Sequence, residues 1–208
     1  LDMSPYVYLE NGRVTSVPQK VIEKRGFPQY LRTGEVSDDF DYEASLSHLL
    51  EKATGFIRQS ARGEKPFFLF YATHENHVPR LPHPRFRGSS GLGLRGDAIV
   101  EMDWGIGVLL ETLERRKLLN RTLVIFTSDN GGLSTLTGKN APTSNGPLRA
   151  GKGWCYEGGI KVPLIISGPG VLTPGNTSDQ QAVSMDFFTT ILSLAGAEHH
   201  KNDGKNLL

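Results

Sequence analysis

The sequence has a single cysteine, Cys155, among its 208 residues. This count excludes a disulfide within the chain and a zinc site built from several cysteines. No apolar run reaches the roughly 18 residues that a membrane-spanning helix needs, so we predict no membrane partner. The formal net charge is only +1, which gives no electrostatic basis for a nucleic-acid partner.

The residues that are present make up an ordinary globular composition, with 38% hydrophobic and 22% charged residues. This composition predicts a compact domain with a core and excludes a disordered chain. Nothing around Cys155 indicates a reactive thiol, so we expect this cysteine to be buried and structural. The sequence begins at Leu1 without a signal-peptide pattern, and no cellular location can be read from it.

The order of helical and extended patterns predicts an α/β fold. Apolar residues at helical spacing predict helices over residues 41–61, 97–118 and 185–194. Continuous apolar runs predict buried strands over residues 67–71, 123–127 and 162–166. Helices that alternate with buried strands indicate a mostly parallel sheet sandwiched by helices. Near the start of the chain, Asn11 and Gly12 predict the turn of a small hairpin.

Two histidines, His74 and His77, follow the first predicted strand. In α/β sheets, ligands bind beyond the carboxyl ends of the strands. Histidine exchanges protons near neutral pH and binds metals, so either ring is a candidate for acid–base chemistry. The alternative is a polar surface loop in which the histidines are incidental.

The second predicted strand runs into residues 128–132, SDNGG. The two glycines let the backbone turn the Asp129 and Asn130 side chains toward one point. A carboxylate and an amide oxygen suit a hard cation such as Ca²⁺ or Mg²⁺. Calcium takes about six to eight oxygen ligands, so a metal here needs further ligands. The alternative is an Asn-Gly turn without a metal.

A glycine-rich segment, residues 146–159, precedes the third predicted strand and contains Lys152. Glycines on both sides of Lys152 let the backbone approach a ligand closely. The ammonium group is a point charge that suits a tetrahedral oxyanion. The alternative is a solvated lysine in a flexible loop.

These segments, in this order, resemble the type I sulfatases of the alkaline-phosphatase-like superfamily. The matching stretches are residues 66–72, 77–79, 124–132, 147–153, 156–159 and 162–163. The resemblance covers nearly the whole chain and implies a partial alkaline-phosphatase-like fold. It also implies an enzyme that cleaves a sulfate ester, on a sugar, to an alcohol and sulfate.

The resemblance implies roles for individual residues. In the family, a formylglycine made from Cys or Ser in a C/S-x-P/A-x-R motif attacks the sulfur atom. By resemblance, Asp129 and Asn130 are ligands of one Ca²⁺ ion. His77 and Lys152 would contact the sulfate, and either could assist departure of the alcohol oxygen.

Cationic side chains near these residues are candidates for contacts with the rest of the substrate. We predict that His74, Arg80 and Arg149 bind the substrate, because a basic rim suits a sulfated glycan. The alternative is that these side chains are solvated surface. The oligomeric state cannot be read from the sequence.

The sequence also departs from the family pattern. Residues 16–20, SVPQK, come closest to the nucleophile motif but have Lys where the motif has Arg. The paired aspartates that complete the family's calcium site are missing too. We therefore predict that residues 1–208 are a partial catalytic domain, without the N-terminal nucleophile segment and the C-terminal subdomain. This piece alone is predicted to be inactive, and the longer parent to be secreted, periplasmic or lysosomal by family resemblance.

Two other functions stay open. One is a phosphatase or phosphonate hydrolase of the same superfamily, although Asn130 favours calcium over a two-zinc site. The other is a degenerate homologue that binds glycans without catalysis.

Overall fold

The computed structural model describes residues 3–134, 143–168, 175–197 and 201–208. The chain forms two compact units, Leu1–Leu119 and Asn120–Leu208. The strands are β1 (Leu9–Glu10), β2 (Arg13–Val14), β3 (Lys20–Ile22), β4 (Gly34–Val36), β5 (Val124–Thr127) and β6 (Leu164–Ser167). The α-helices are α1 (Ser45–Ser60), α2 (Gly93–Arg115), α3 (Glu157–Ile160) and α4 (Ser184–Ala195). Short 3₁₀ helices span Pro84–Phe86 and Leu119–Arg121.

The first unit opens with two small antiparallel hairpin-like sheets. In the first, Leu9 of β1 lies opposite Val14 of β2. Asn11 and Gly12 between them have φ values of 51° and 79°, as the central residues of a type I′ turn require. The predicted hairpin is therefore confirmed. In the second sheet, Val21 of β3 lies opposite Glu35 of β4.

An aromatic cluster forms the core beside these strands. Its buried members are Tyr6, Tyr8, Leu31, Phe40 and Tyr42. The rings of Tyr6 and Tyr42 meet edge to face with centroids 5.1 Å apart, a favoured aromatic geometry. The Tyr6 hydroxyl donates to the carbonyl of Arg32 at 2.9 Å, so its polar end is satisfied inside the core.

Helices α1 and α2 pack against each other in the first unit. The buried face of α1 carries Leu46, Leu50, Ala53 and Ile57, the periodicity from which a helix over residues 41–61 is predicted. Helix α2 begins at Gly93, before the predicted start at residue 97. None of the helices in the described ranges is long and apolar enough to cross a membrane.

The second unit contains a two-stranded sheet and helix α4. Ile125 of β5 lies opposite Ile166 of β6 in an antiparallel pair. The Asp186 carboxylate accepts the backbone N–H groups of Val183 and Lys205 at 2.8 and 2.7 Å, which fixes the start of α4. Helix α4 ends at Ala195 and is followed by Gly196, whose φ of 62° is the left-handed conformation typical after a helix C-terminus.

The sheets differ from the expected parallel arrangement. The three two-stranded sheets within the described residues are all antiparallel. Parallel pairing occurs there as an isolated bridge between Tyr6 and Val36. The prediction of a buried strand over residues 67–71 is wrong, because this stretch pairs with no other strand within the described residues. Phe68 and Phe70 are accordingly 65% and 80% exposed. An apolar run predicts burial, but a strand also needs a hydrogen-bonded neighbour.

Candidate functional site

The Asp-Asn pair lies directly after β5, as predicted. Asp129 is exposed and Asn130 is half-buried. The Ser128 hydroxyl donates to the backbone carbonyl of Asn130 at 2.9 Å and fixes the turn. The backbone N–H of Gly131 donates to the carbonyl of Gly159 at 2.9 Å, which ties the end of this loop to α3. The two side-chain oxygens thus sit on a loop whose backbone is held on both sides.

Close backbone approach around this loop requires glycine. A Cβ atom built on Gly131 would overlap the carbonyl oxygen of Gly158. A Cβ atom on Gly158 would in turn overlap the carbonyl oxygen of Ala150. The glycines that the sequence places in both segments therefore let the two backbones touch.

The structure brings the Lys152 segment against the Asp-Asn loop. The backbone N–H of Lys152 donates to the carbonyl of Gly132 at 3.1 Å. Lys152 itself is half-buried. Three of the predicted site residues, Asp129, Asn130 and Lys152, are therefore held in one cluster of loops.

Asn145 connects the same two segments and is absent from the residues predicted above. Its side-chain oxygen accepts the N–H of Gly132 at 3.0 Å. Its side-chain nitrogen donates to the carbonyls of Gly132 and Ala150 at 2.8 and 3.0 Å. Asparagine before Gly146 and Pro147 reads as a turn residue in the sequence, so no sequence signal distinguishes it.

The donor set after β5 fits part of a calcium site. Asp129 and Asn130 offer a carboxylate and an amide oxygen, the ligand types that Ca²⁺ prefers. Across the described ranges, no group of three or more His, Cys, Asp or Glu residues is placed to hold a metal. The pair can therefore supply two ligands, and a complete shell requires others.

Aromatic residues flank the lysine segment. The Arg149 guanidinium lies 3.7 Å from the ring centroid of Tyr156, within cation–π range. The rings of Trp154 and Tyr156 stack with centroids 6.4 Å apart. Cys155 between them is exposed, so the expectation of a buried cysteine is wrong. The Arg149 side chain is thus oriented by an aromatic face, and its binding of substrate stays a prediction.

In the first unit, His77 is exposed, and one of its ring nitrogens has a backbone partner. Its Nδ1 lies 2.7 Å from the carbonyl oxygen of Val78. A carbonyl only accepts, so Nδ1 carries the proton in this contact. In the neutral ring, Nε2 is then the nitrogen that carries the lone pair.

His74 lies in a very different environment. Its Nε2 is 2.9 Å from the hydroxyl oxygen of Ser45, which in turn donates its proton to the carbonyl of Tyr42. Its Nδ1 is 3.2 Å from a carboxylate oxygen of Glu75. Burial lowers the pKa of His74 to about 4 and raises the pKa of Glu75 to about 7. Glu75 was not predicted, because a glutamate in a polar sequence gives no sign of burial.

Arg80 packs on the loop that precedes β4. Its backbone N–H donates to the carbonyl of Gln29 at 2.8 Å, and its guanidinium lies 5.6 Å from the Tyr30 ring centroid. These contacts orient the side chain without testing whether it binds a ligand. Substrate binding by His74 and Arg80 therefore stays a prediction.

This chain is similar to proteins of one family, the sulfatases. The family model described as Sulfatase matches residues 8–197. The N-acetylgalactosamine-6-sulfatase of Homo sapiens is 39% identical over 186 residues, which cover 88% of this chain and 34% of the relative. The steryl-sulfatase of Rattus norvegicus is 38% identical over 174 residues, which cover 81% and 30%. The chain thus spans about a third of the length of these curated relatives.

Solved structures agree with the sequence relatives. A structure from work on glycosaminoglycan metabolism by Bacteroides thetaiotaomicron matches 99% of this chain and 52% of its own, with 30% identity and a TM-score of 0.80. The PsFucS1 sulfatase from Pseudoalteromonas sp. matches 74% of this chain and 30% of its own, with 32% identity and a TM-score of 0.69. The expected partial alkaline-phosphatase-like α/β fold is confirmed by this likeness.

Proposed function

This chain belongs to the sulfatase family, and from that premise we propose that the longer protein containing it hydrolyses sulfate esters. In this proposal, residues 1–208 form part of the catalytic domain, and other parts of the protein supply the nucleophile. The products are an alcohol and sulfate. The observation that carries the proposal is the contact between the Lys152 backbone and the Asp-Asn loop at Gly132.

This contact supports the proposal because it joins the loop that carries the two oxygen ligands to the loop that carries the Lys152 ammonium group. Two oxygen ligands for a hard cation and an ammonium group lie on adjoining loops. Sulfate ester cleavage develops negative charge on oxygen, and fixed positive charges stabilise such a transition state. Lys152 would hold a sulfate oxygen, and Asp129 and Asn130 would hold one Ca²⁺ ion. When bound, the ion would act as a Lewis acid on the sulfate oxygens.

The nucleophile is proposed to be a formylglycine outside the printed sequence, which has no C/S-x-P/A-x-R motif. His77 is proposed to handle the proton. With Nδ1–H donated to the Val78 carbonyl, Nε2 is the ring nitrogen proposed to exchange the proton. In the imidazolium form, Nε2–H can donate its proton to the departing alcohol oxygen.

We propose a sulfated sugar as the substrate class. Relatives named as acting on N-acetylgalactosamine 6-sulfate support this choice, since the human enzyme is 39% identical. In this proposal Arg80 and Arg149 would contact the anionic sugar through their guanidinium groups, and His74 would contact it as a neutral ring. A secreted, periplasmic or lysosomal location is part of the same proposal.

The test uses the whole protein and two substrates that differ in the transferred group, 4-nitrophenyl sulfate and 4-nitrophenyl phosphate. We expect sulfate ester cleavage at a kcat/KM at least tenfold above that for the phosphate. We also expect calcium, and not zinc, in the purified protein by elemental analysis. A preference for the phosphate, or two bound zinc ions, would assign the protein to phosphate chemistry instead.

A further inference from the structure

We infer that Asn145 is a positioning residue that holds the Asp-Asn loop and the Lys152 segment in register. The inference rests on the proposed function and adds a residue to the same site. Within the described residues, the Asn145 side chain forms hydrogen bonds with backbone groups of Gly132 and Ala150.

The Asn145 side chain forms hydrogen bonds with both backbone polar groups of Gly132, the N–H and the carbonyl. Its oxygen accepts the N–H of Gly132, and its nitrogen donates to the Gly132 carbonyl. The second N–H of the same amide donates to the carbonyl of Ala150. All three donor–acceptor distances lie between 2.8 and 3.0 Å, within the range of well-formed hydrogen bonds. A single half-buried side chain therefore closes a bridge between two loops.

The bridge ends are next to the reactive groups. Gly132 is separated by one residue from Asn130, and Ala150 is separated by one residue from Lys152. The Gly132 carbonyl also accepts the N–H of Lys152, so Asn145 and Lys152 donate to the same oxygen atom. With Asn145 removed, the remaining links between the loops at this point would be the 3.1 Å bond from the Lys152 N–H to Gly132 and the bond from the Thr143 hydroxyl to the Leu133 carbonyl. Only the first of these involves Lys152, so the lysine could shift relative to the oxygen pair.

Such a shift is expected to affect catalysis more than folding. Misplacing a catalytic group by about 1 Å can lower a rate roughly 100-fold. The chemistry of asparagine is also specific here, because the site needs one acceptor and two donors on one planar group. Aspartate has the shape and the acceptor, but its carboxylate cannot donate to the carbonyls of Gly132 and Ala150.

The experiment compares Asn145→Ala and Asn145→Asp with the wild-type whole protein. The matched control is Asn206→Ala, whose exposed amide donates to the Ser193 hydroxyl at 3.3 Å and accepts the N–H of Leu208 near the end of the chain at 3.2 Å. We expect kcat for 4-nitrophenyl sulfate to fall roughly 10- to 100-fold in both Asn145 variants. The Ca²⁺ concentration for half-maximal binding, measured by calorimetry, should rise at least threefold, and the control should match the wild type in both.

Amide hydrogen exchange gives a readout that is independent of activity. Exchange at Gly132 and Lys152 should accelerate in Asn145→Ala, while in Asn145→Asp the Gly132 amide keeps its acceptor and stays protected. Unchanged kcat and calcium affinity in folded Asn145 variants would overturn the inference, even if exchange accelerates. If the wild type does not cleave sulfate esters, the proposed function fails. Calcium affinity and amide exchange then test whether Asn145 positions the two loops. Wild-type values for both quantities in Asn145→Ala would overturn that role.

Discussion

The Nδ1 atom of His74 lies 3.2 Å from a carboxylate oxygen of Glu75, and both groups are largely withdrawn from water. The other ring nitrogen, Nε2, lies 2.9 Å from the Ser45 hydroxyl oxygen. Burial disfavours the charged form of each group, so between about pH 4 and pH 7 a neutral imidazole faces a carboxyl group that retains its proton. Glu101 lies near Glu75 and disfavours its ionisation further. Two adjacent residues thus respond to pH in opposite directions.

These opposite responses predict how stability depends on pH. The pKa of Glu75 rises from 4.5 to about 7, so its contribution is present below pH 4.5 and is lost as the pH rises to 7. The pKa of His74 falls from 6.5 to about 4, so its contribution is present above pH 6.5 and is lost as the pH falls to 4. Between pH 4.5 and 6.5 the two slopes offset each other.

Removing one partner should expose the slope of the other. In Glu75→Gln, the free energy of unfolding should rise by roughly 1–3 kcal/mol from pH 4.5 to 6.5. In His74→Gln, it should fall over the same window. Urea unfolding at three pH values measures both, with Glu64→Gln, an exposed carboxylate in the same unit, as the control. Parallel profiles for all these proteins would contradict the assignment.

A second prediction concerns Asp97, which anchors the loop before α2. Its carboxylate accepts the N–H groups of Gly88 and Ser90 and the Ser90 hydroxyl, at 2.9, 3.0 and 2.6 Å. Asp97→Asn replaces one acceptor oxygen with a donor that faces other donors. We expect the melting temperature to fall by roughly 5 °C or more. Asp103→Asn, an exposed change on the same helix, should leave it unchanged, and an equal loss in both variants would refute the anchor.

The sequence predicts the parts of this molecule that depend on local pattern. Helices α1 and α4 follow from apolar spacing, and the Asp-Asn loop follows from a strand that breaks into glycines. The segment 67–71 shows the limit, because an apolar run does not say which strand, if any, pairs with it. Asn145 shows another, because a side chain that bonds to backbone groups leaves no periodicity or charge pattern.

A third prediction tests the close approach of the two loops. Gly131→Ala would place a methyl group on the carbonyl oxygen of Gly158, so the backbones must separate. We expect a loss of about 1–3 kcal/mol in unfolding free energy, as in other overpacked sites. Gly107→Ala is the matched control, because a Cβ there meets no atom within 4 Å.

The control should behave in the opposite direction. Gly107 lies inside α2, where alanine is favoured over glycine by about 0.5–1 kcal/mol. Thermal unfolding followed by circular dichroism measures both variants. A Gly131→Ala protein as stable as the wild type would mean that the loops do not need to touch.

The last prediction separates the lysine of the site from other lysines. In the whole protein, Lys152→Ala should lower kcat for 4-nitrophenyl sulfate by roughly 100- to 1000-fold, the usual cost of losing one group that stabilises developing charge. Lys161→Ala, in the exposed residue that follows α3, removes an equal charge from the same unit and should leave kcat within about twofold. Equal losses in the two variants would indicate a general electrostatic effect of net charge. A rise in KM with unchanged kcat in Lys152→Ala would restrict the lysine to ground-state binding, since an interaction made equally in both states does not accelerate the chemical step.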